Sequence, residues 1–217
     1  MAALTDEDLV ARCKSELPRD TRSYEMLVQR HMNRVYSQVY QVVSNKEEAE
    51  DITQEVFVKV YNGLHKFEQQ ASFSSWLYRI ATNTTLDALD KIKRRPKSVH
   101  SVNSRKVNEH EKGNDPLESQ ATSVAGPEES VMQAELRECI RRVLKKLDRD
   151  QARLLLMRDL NDVSYDEIAK ALSANLSAVK MRIHRARLAF QEIFNQFCGR
   201  YVNFSVSSSL SSKDKAK

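Results

Sequence analysis

The stretch DITQEVFVKVYNGLHKFEQQASFSSWLYRIATNTTLDALDKIKRR, from Asp51 to Arg95, decides how this chain is read. Ile52, Val56, Phe57, Val60 and Leu64 recur at helical spacing, so one stripe of a first helix faces a core. Asp51, Gln54, Glu55 and Lys59 are left towards solvent or a partner. After the polar loop Gln69-Gln70-Ala71-Ser72, the residues Phe73, Leu77, Ile80 and Thr84 form the inward face of a second helix. Trp76, Arg79 and Asn83 stand at i, i+3 and i+7 on a different face of it. A ring, a guanidinium and a carboxamide together can stack on and hydrogen-bond to an unpaired base. Equally, Trp76 can be a core residue and Arg79 a solvated charge, and spacing alone leaves both open. The helix ends in a basic cluster, Lys91, Lys93, Arg94 and Arg95, with Asp87 and Asp90 just before it.

Composition narrows the class. The 217 residues are 41% hydrophobic, enough for two small domains or one of medium size. Four glycines, little alternation of apolar and polar residues, and no phosphate-cradling glycine loop argue for an all-α chain and against a nucleotide-binding α/β enzyme. The net charge of +5 is mild, so its placement matters more than its sum. Cys13, Cys139 and Cys198 lie far apart, with no C-x-x-C pair and no histidine at zinc-ligand spacing. They are expected to be reduced thiols, and no metal or cofactor is expected. No segment approaches a membrane span and the N-terminus lacks a signal peptide's basic and apolar regions, so a soluble, cytoplasmic protein is expected. His65 sits near Gly63, His100 and His110 fall in a polar stretch, and no histidine has a nucleophile partner. No catalytic constellation is visible.

The rest of the chain arranges itself around the opening stretch. Thr5 or Asp6 can cap a short acidic helix through Leu9 and Val10 that ends near Pro18. Tyr24, Leu27, Val28, His31, Val35 and Val39 then repeat at helical spacing to about Val43, with His31 expected to be packed rather than a ligand. Residues 1–95 therefore read as one helical domain. Residues 96–130 hold three of the four prolines and two of the four glycines, the composition of a flexible linker. At ~3.3 Å per residue it can stretch to about 100 Å. Residues 131–198 read as a second helical domain, and the serine-rich residues 199–217 as a disordered tail.

In the second domain Leu136, Ile140, Val143, Leu144 and Leu147 make one inward stripe. Asp148 with Gln151 and Ser164 with Glu167 are candidate capping boxes for two further helices. Ser173-Ala174-Asn175-Leu176 is turn-like, and Ser177 is placed to cap a longer helix with a core face of Val179, Ile183, Ala186 and Phe190, continuing to Ile193 and Phe197. Short helix, tight turn and longer basic helix make a helix-turn-helix. Met181, His184, Arg185 and Leu188, with Lys180 beside them, can reach major-groove base edges, while Arg182 and Arg187 lie nearer the flanks and suit phosphates. The alternative is an ordinary helix pair with a solvated basic face.

Two blocks carry a family resemblance. D-x-x-Q-E-V-F at Asp51 to Phe57, F-S-S-W-L-Y-R-I-A-x-N from Phe73 to Asn83, and Arg94-Arg95 resemble the second conserved region of bacterial extracytoplasmic-function (ECF) sigma factors. Val163 to Leu172 and V-K-M-R-I-H-R-A-R from Val179 to Arg187 are similar to the family's fourth region. The resemblance implies a two-domain protein that binds core RNA polymerase and directs it to the promoters of a stress- or envelope-response regulon. It implies a core-polymerase surface at Asp51, Gln54, Glu55 and Lys59. It implies single-stranded −10 element contacts at Phe67, Ser72, Phe73, Trp76, Arg79, Asn83, Lys91, Arg94 and Arg95. Duplex −35 element contacts would fall to Arg158, Ser177, Lys180, Met181, Arg182, His184, Arg185 and Arg187. An anti-sigma protein is an implied partner. The chain departs from the family pattern at Ser177-Ala178, where Gly-Thr is usual, at Ser173 in a common glycine turn, and at Met181, where a small polar residue is usual. A dimeric helix-turn-helix repressor and a polymerase-binding decoy remain the competing classes. The first leaves the Asp51 to Arg95 block unexplained, and the second rests on Met181 and the altered turn alone.

Overall fold

The computed structural model describes residues 4–94 and 127–198, with side chains described for residues 4–91 and 132–198. The expected linker (apart from the start of its last helix), Arg95 and the tail lie outside the described residues. So do the side chains of Lys93 and Arg94. Eight α-helices follow in order: α1 Asp6–Glu16, α2 Arg22–Val43, α3 Lys46–Gly63, α4 Phe73–Arg94, α5 Pro127–Leu144, α6 Arg149–Leu155, α7 Tyr165–Ala171 and α8 Leu176–Cys198. Among the described residues there is no strand, as an all-α reading requires. α5 begins at Pro127, ahead of the expected onset near Val131.

Local chemistry sets most boundaries. Thr5 caps α1 in a full capping box: its hydroxyl accepts from the Asp8 N–H at 3.1 Å, and the Asp8 carboxylate accepts from the Thr5 N–H at 3.0 Å. α1 stops at Leu17, where Pro18 cannot continue it. α2 ends on Ser44 in the left-handed region (φ 56°), and the Asn45 side chain at once caps α3 by accepting from the Glu48 N–H. A single turn thus reverses the chain between two long helices.

α2, α3 and α4 bury facing stripes against one another: Leu27, Val35, Val39 and Val43, then Ile52, Val56 and Val60, then Phe73, Leu77 and Ala81. α4 also carries buried Ser75, Thr82, Thr84 and Thr85. Each such hydroxyl needs a partner inside. Thr85 donates to the Ala81 carbonyl at 2.8 Å, and Thr82 accepts from Gln38 of α2 at 3.1 Å. His31 is packed, as expected: it meets Asp6 at 2.8 Å and makes a T-shaped pair with the Phe73 ring, the centroids 5.4 Å apart.

In the second half α5, α6, α7 and α8 enclose Val143, Leu144, Leu154, Ile168, Val179, Ile183 and Ala186. α6 widens into a π-helical turn at Leu156–Leu160, and the Asn161 amide closes it by donating to the Leu156 carbonyl at 2.8 Å. Four sequence expectations are corrected here. Asp148 caps α6 by accepting from the Asp150 N–H, so it makes no box with Gln151. Asn175, not Ser177, supplies the cap of α8, accepting from the Ser177 N–H at 2.8 Å. Phe197 is exposed, under the Lys146 ammonium at 4.4 Å, because Cys198 takes the inward position instead. Cys139 and Cys198 are not reduced thiols but a disulfide with Cα atoms 6.1 Å apart, fastening the end of α8 to α5. Cys13 is the free, buried cysteine, its thiol pushed up to about 11 by burial.

The two halves are not separate bodies. Most of their buried apolar side chains form one continuous cluster running from Leu9 to Ala186, beside a small separate one of Cys139, Val143 and Cys198. α4 packs on α6 and α7, and α2 packs on α5.

Candidate nucleic-acid interface

The loop before α4 is shaped by rings. A short 3-10 turn at Leu64–Lys66 delivers Phe67 into the core, where its carbonyl accepts from the Lys14 ammonium at 2.5 Å. Trp76 stacks on Phe67 at 4.8 Å between centroids and lies 6.0 Å from Phe73. A Cβ at Gly63 would come within 3.2 Å of the Trp76 ring, so glycine is what lets the indole lie this close to α3. Phe67 and Phe73 are buried and hold the loop from beneath, whereas Glu68, Gln69 and Gln70 stand in solvent, Gln69 with φ 57°. Ser72 caps α4, its hydroxyl accepting from the Ser75 N–H at 3.2 Å.

Trp76, Arg79 and Asn83 share one half-buried strip of α4. Lys91, further along the helix, is exposed. Trp76 is packed by Phe67, Phe73 and Gly63, whereas Arg79 meets the second half of the chain. The Arg79 guanidinium donates to the Ala171 carbonyl at the end of α7, at 2.5 Å. Burial, with Arg153 nearby, disfavours its charged form. The Ser72 N–H donates to the Glu167 carboxylate at 2.8 Å. Burial pushes the Glu167 carboxyl up, but the Ser72 N–H, the Ser72 and Ser75 hydroxyls and Lys170 outweigh it and leave its pKa lowered. A shallow cavity of about 340 Å³ remains at the seam, lined by Phe67, Gln69, Ser72 and Phe73 on one side and Glu167 and Lys170 on the other.

Two other surfaces are open. Asp51, Gln54, Glu55 and Lys59 are all exposed on the outer face of α3, with Lys59 paired to Glu55 at 2.8 Å and donating to Thr84 at 3.1 Å. On α8, Ser177, Lys180, Met181, Arg182, His184, Arg185 and Arg187 are exposed. Met181 and Leu188 leave about half of their area in water on the same face, at 52% and 53%. Arg187 is tied to both oxygens of Asp159 and reaches the Tyr165 hydroxyl, and its hydrogen bond to Asp159 raises its pKa. Arg158 donates to Asp162 and to the Val163 carbonyl and lies over the Tyr165 ring at 4.9 Å. Both arginines are thus held at the loop that leads into α7, while Lys180, Met181, Arg182, His184 and Arg185 project from α8. Ser173 takes the turn with φ 49°, a left-handed conformation that a glycine adopts without strain.

Residues 27–95 match the family model for sigma-70 region 2, and residues 137–190 match the model for sigma-70 region 4. The ECF RNA polymerase sigma-E factor of Escherichia coli (strain K12) is 33% identical over 186 residues, covering 86% of this chain and 92% of that protein. The chain belongs to the ECF sigma factors. The RNA polymerase sigma-H factor of Pseudomonas aeruginosa is 29% identical over 187 residues, covering 86% of this sigma factor and 92% of that one. The solved structure of CnrH in complex with the cytosolic domain of CnrY has the same fold, with a TM-score of 0.55 at 20% identity over 88% of this chain and 97% of that one. Sigma factors are transcription initiation factors and not enzymes. Among the described residues no helix is long and apolar enough to cross a membrane.

Proposed function

We propose that this sigma factor binds core RNA polymerase through the outer face of α3, reads a −35 element with α8 and captures a −10 strand on α4. Asp51, Gln54, Glu55 and Lys59 form the polymerase surface. Lys180, Met181, His184 and Arg185 address base edges, Ser177, Arg182 and Arg187 address phosphates, and Arg158 is a further contact to the −35 element. Opening a base step costs a few kcal/mol, which stacking and edge hydrogen bonds from Trp76, Arg79 and Asn83 offset. Phe67, Ser72 and Phe73 shape the pocket at the loop, and Lys91, Arg94 and Arg95 attract phosphates. An anti-sigma protein holds the factor out of use in a cytoplasmic pool until a stress or envelope signal releases it.

The observation that carries this reading is the placement on one helix of a stacked indole, a guanidinium and a carboxamide beside a capped polar loop. The chain should bind promoter-length duplex DNA tightly only together with core polymerase. Binding that is equally tight without polymerase, and that doubles on a palindromic site, would point to a dimeric repressor instead.

A further inference from the structure

We propose that Met181 is a specificity-determining residue of this chain: from the outer line of α8 its side chain reads the C5 methyl group of a thymine in the −35 duplex, as the first point of an apolar ridge that Leu188 continues. This deepens the assignment of α8 under Proposed function and rests on it.

The ridge follows from helical geometry. Val179, Ile183 and Ala186 are fully buried and fix the inward direction of α8. At about 100° per residue, Met181 and Leu188 fall within about 15° of the line opposite to that direction. His184 and Arg185 stand about 50° to either side of the same line, and both are exposed. The centre of the outward face is therefore apolar, and its flanks are polar or basic. A solvent-facing line is where a helix ordinarily carries its charges, yet Met181 and Leu188 each leave about half of their area in water. Seven residues place their Cα atoms about 10.5 Å apart, the length of about three base steps of about 3.4 Å each.

The surroundings of the ridge select its occupant. From Leu176 to Gln191, α8 carries Lys180, Arg182, Arg185 and Arg187 and no acidic residue. Asp159 and Asp162, just before α7, are engaged by Arg187 and Arg158. Such a face is complementary to a polyanion, and an apolar line within it needs an apolar group on that polyanion. In the major groove the thymine methyl is the apolar group that a base pair presents. Over a guanine, adenine or cytosine edge, the Met181 thioether would displace water from ring nitrogens, carbonyls or amino groups without replacing its hydrogen bonds. One side chain thus favours thymine and penalises the other bases. Methionine is unbranched and adaptable, which suits a contact whose geometry the flanking Arg185 and Lys180 fix. Met181 also lies in the second turn of α8, within the part of a recognition helix that meets base edges.

The test uses holoenzyme assembled from core polymerase and the full chain, on a promoter fragment that it transcribes. Each thymine of the upstream element is replaced in turn by deoxyuridine, which pairs identically and lacks only the C5 methyl, and affinity is measured by competition. With wild type, one replacement should weaken binding about three- to fivefold, the worth of one buried methyl group. Met181→Ser should bind the thymine fragment weaker by a similar factor and should not distinguish it from the deoxyuridine fragment. Met181→Leu should keep the distinction, and so should Arg185→Ala, whose loss falls on a different base pair. Met181→Ser should melt within about 2 °C of wild type, since the side chain is half in water. An upstream element in which no thymine methyl matters would overturn the proposal, as would a methyl dependence that survives Met181→Ser. Either result is what a protein partner seated on the ridge would give. In both cases transcription by the holoenzyme persists, so the sigma reading stands. Holoenzyme that transcribes no fragment would refute that reading, and this proposal with it.

Discussion

Arg185 and Ile183 lie two positions apart on α8 and face opposite ways, so substituting each to alanine separates recognition from stability. Ile183 is fully buried. Ile183→Ala removes three carbons, about 2.4 kcal/mol at about 0.8 kcal/mol each, and the cavity raises the cost to about 2–5 kcal/mol. For a chain of this size that lowers Tm by roughly 5–15 °C. Arg185 is exposed, and its truncation should leave stability within about 0.5 kcal/mol. If Arg185 reads a base edge, its loss costs about 1–3 kcal/mol of binding, roughly 5- to 150-fold, confined to one position of the site. Calorimetry supplies the first number. Footprinting and anisotropy of the polymerase complex on −35 variants supply the second. An unchanged footprint for Arg185→Ala, or a melting temperature that drops as far as that of Ile183→Ala, would refute the assignment of the two faces.

Further outcomes follow from the same geometry. Trp76→Ala or Asn83→Ala should impair promoter opening, read by permanganate reactivity, while binding to core polymerase persists; equal loss of both would mean the strip is structural. Thr5→Ala should cost about 1 kcal/mol through the α1 cap, measurable by urea unfolding, with no effect on DNA contacts. Native protein prepared without reductant should offer no fast-reacting thiol, one after unfolding and three after reduction and unfolding, because Cys139 and Cys198 are paired and Cys13 is buried. The raised Cys13 pKa means the folded state holds that proton more tightly than the unfolded chain. Stability from this group is therefore present below about pH 9 and lost as pH rises towards 11.

The helices were legible because their signals are local. Thr5 with Asp8, the break at Pro18 and the 3.6-residue stripes of α2, α3 and α4 each act within a few residues. The seam was not legible for the opposite reason. Ser72 and Glu167 lie 95 positions apart, and a single carboxylate meeting a single N–H leaves no period in the sequence. The Ser164-x-x-Glu167 pattern even pointed to the wrong partner, since tertiary contact outcompeted the local cap. Cys139 and Cys198 are separated by 59 positions with no motif spacing, so only the packing of α8 along α5 brings them together. Asn175 displaced Ser177 as the α8 cap because both are good acceptors and the turn geometry chose between them. The proposed strand-binding strip was half legible: spacing placed Trp76, Arg79 and Asn83 on one face, but nothing in the sequence placed the Ala171 carbonyl that takes the Arg79 guanidinium.

The most direct measurement is run-off transcription from a pool of genomic promoter fragments, using purified core polymerase with and without this chain. Discrete transcripts that appear only with the chain, sharing paired upstream and downstream sequence elements, are the predicted result. A chain that binds core polymerase yet yields no transcript, or that fails to bind it at all, would contradict the account.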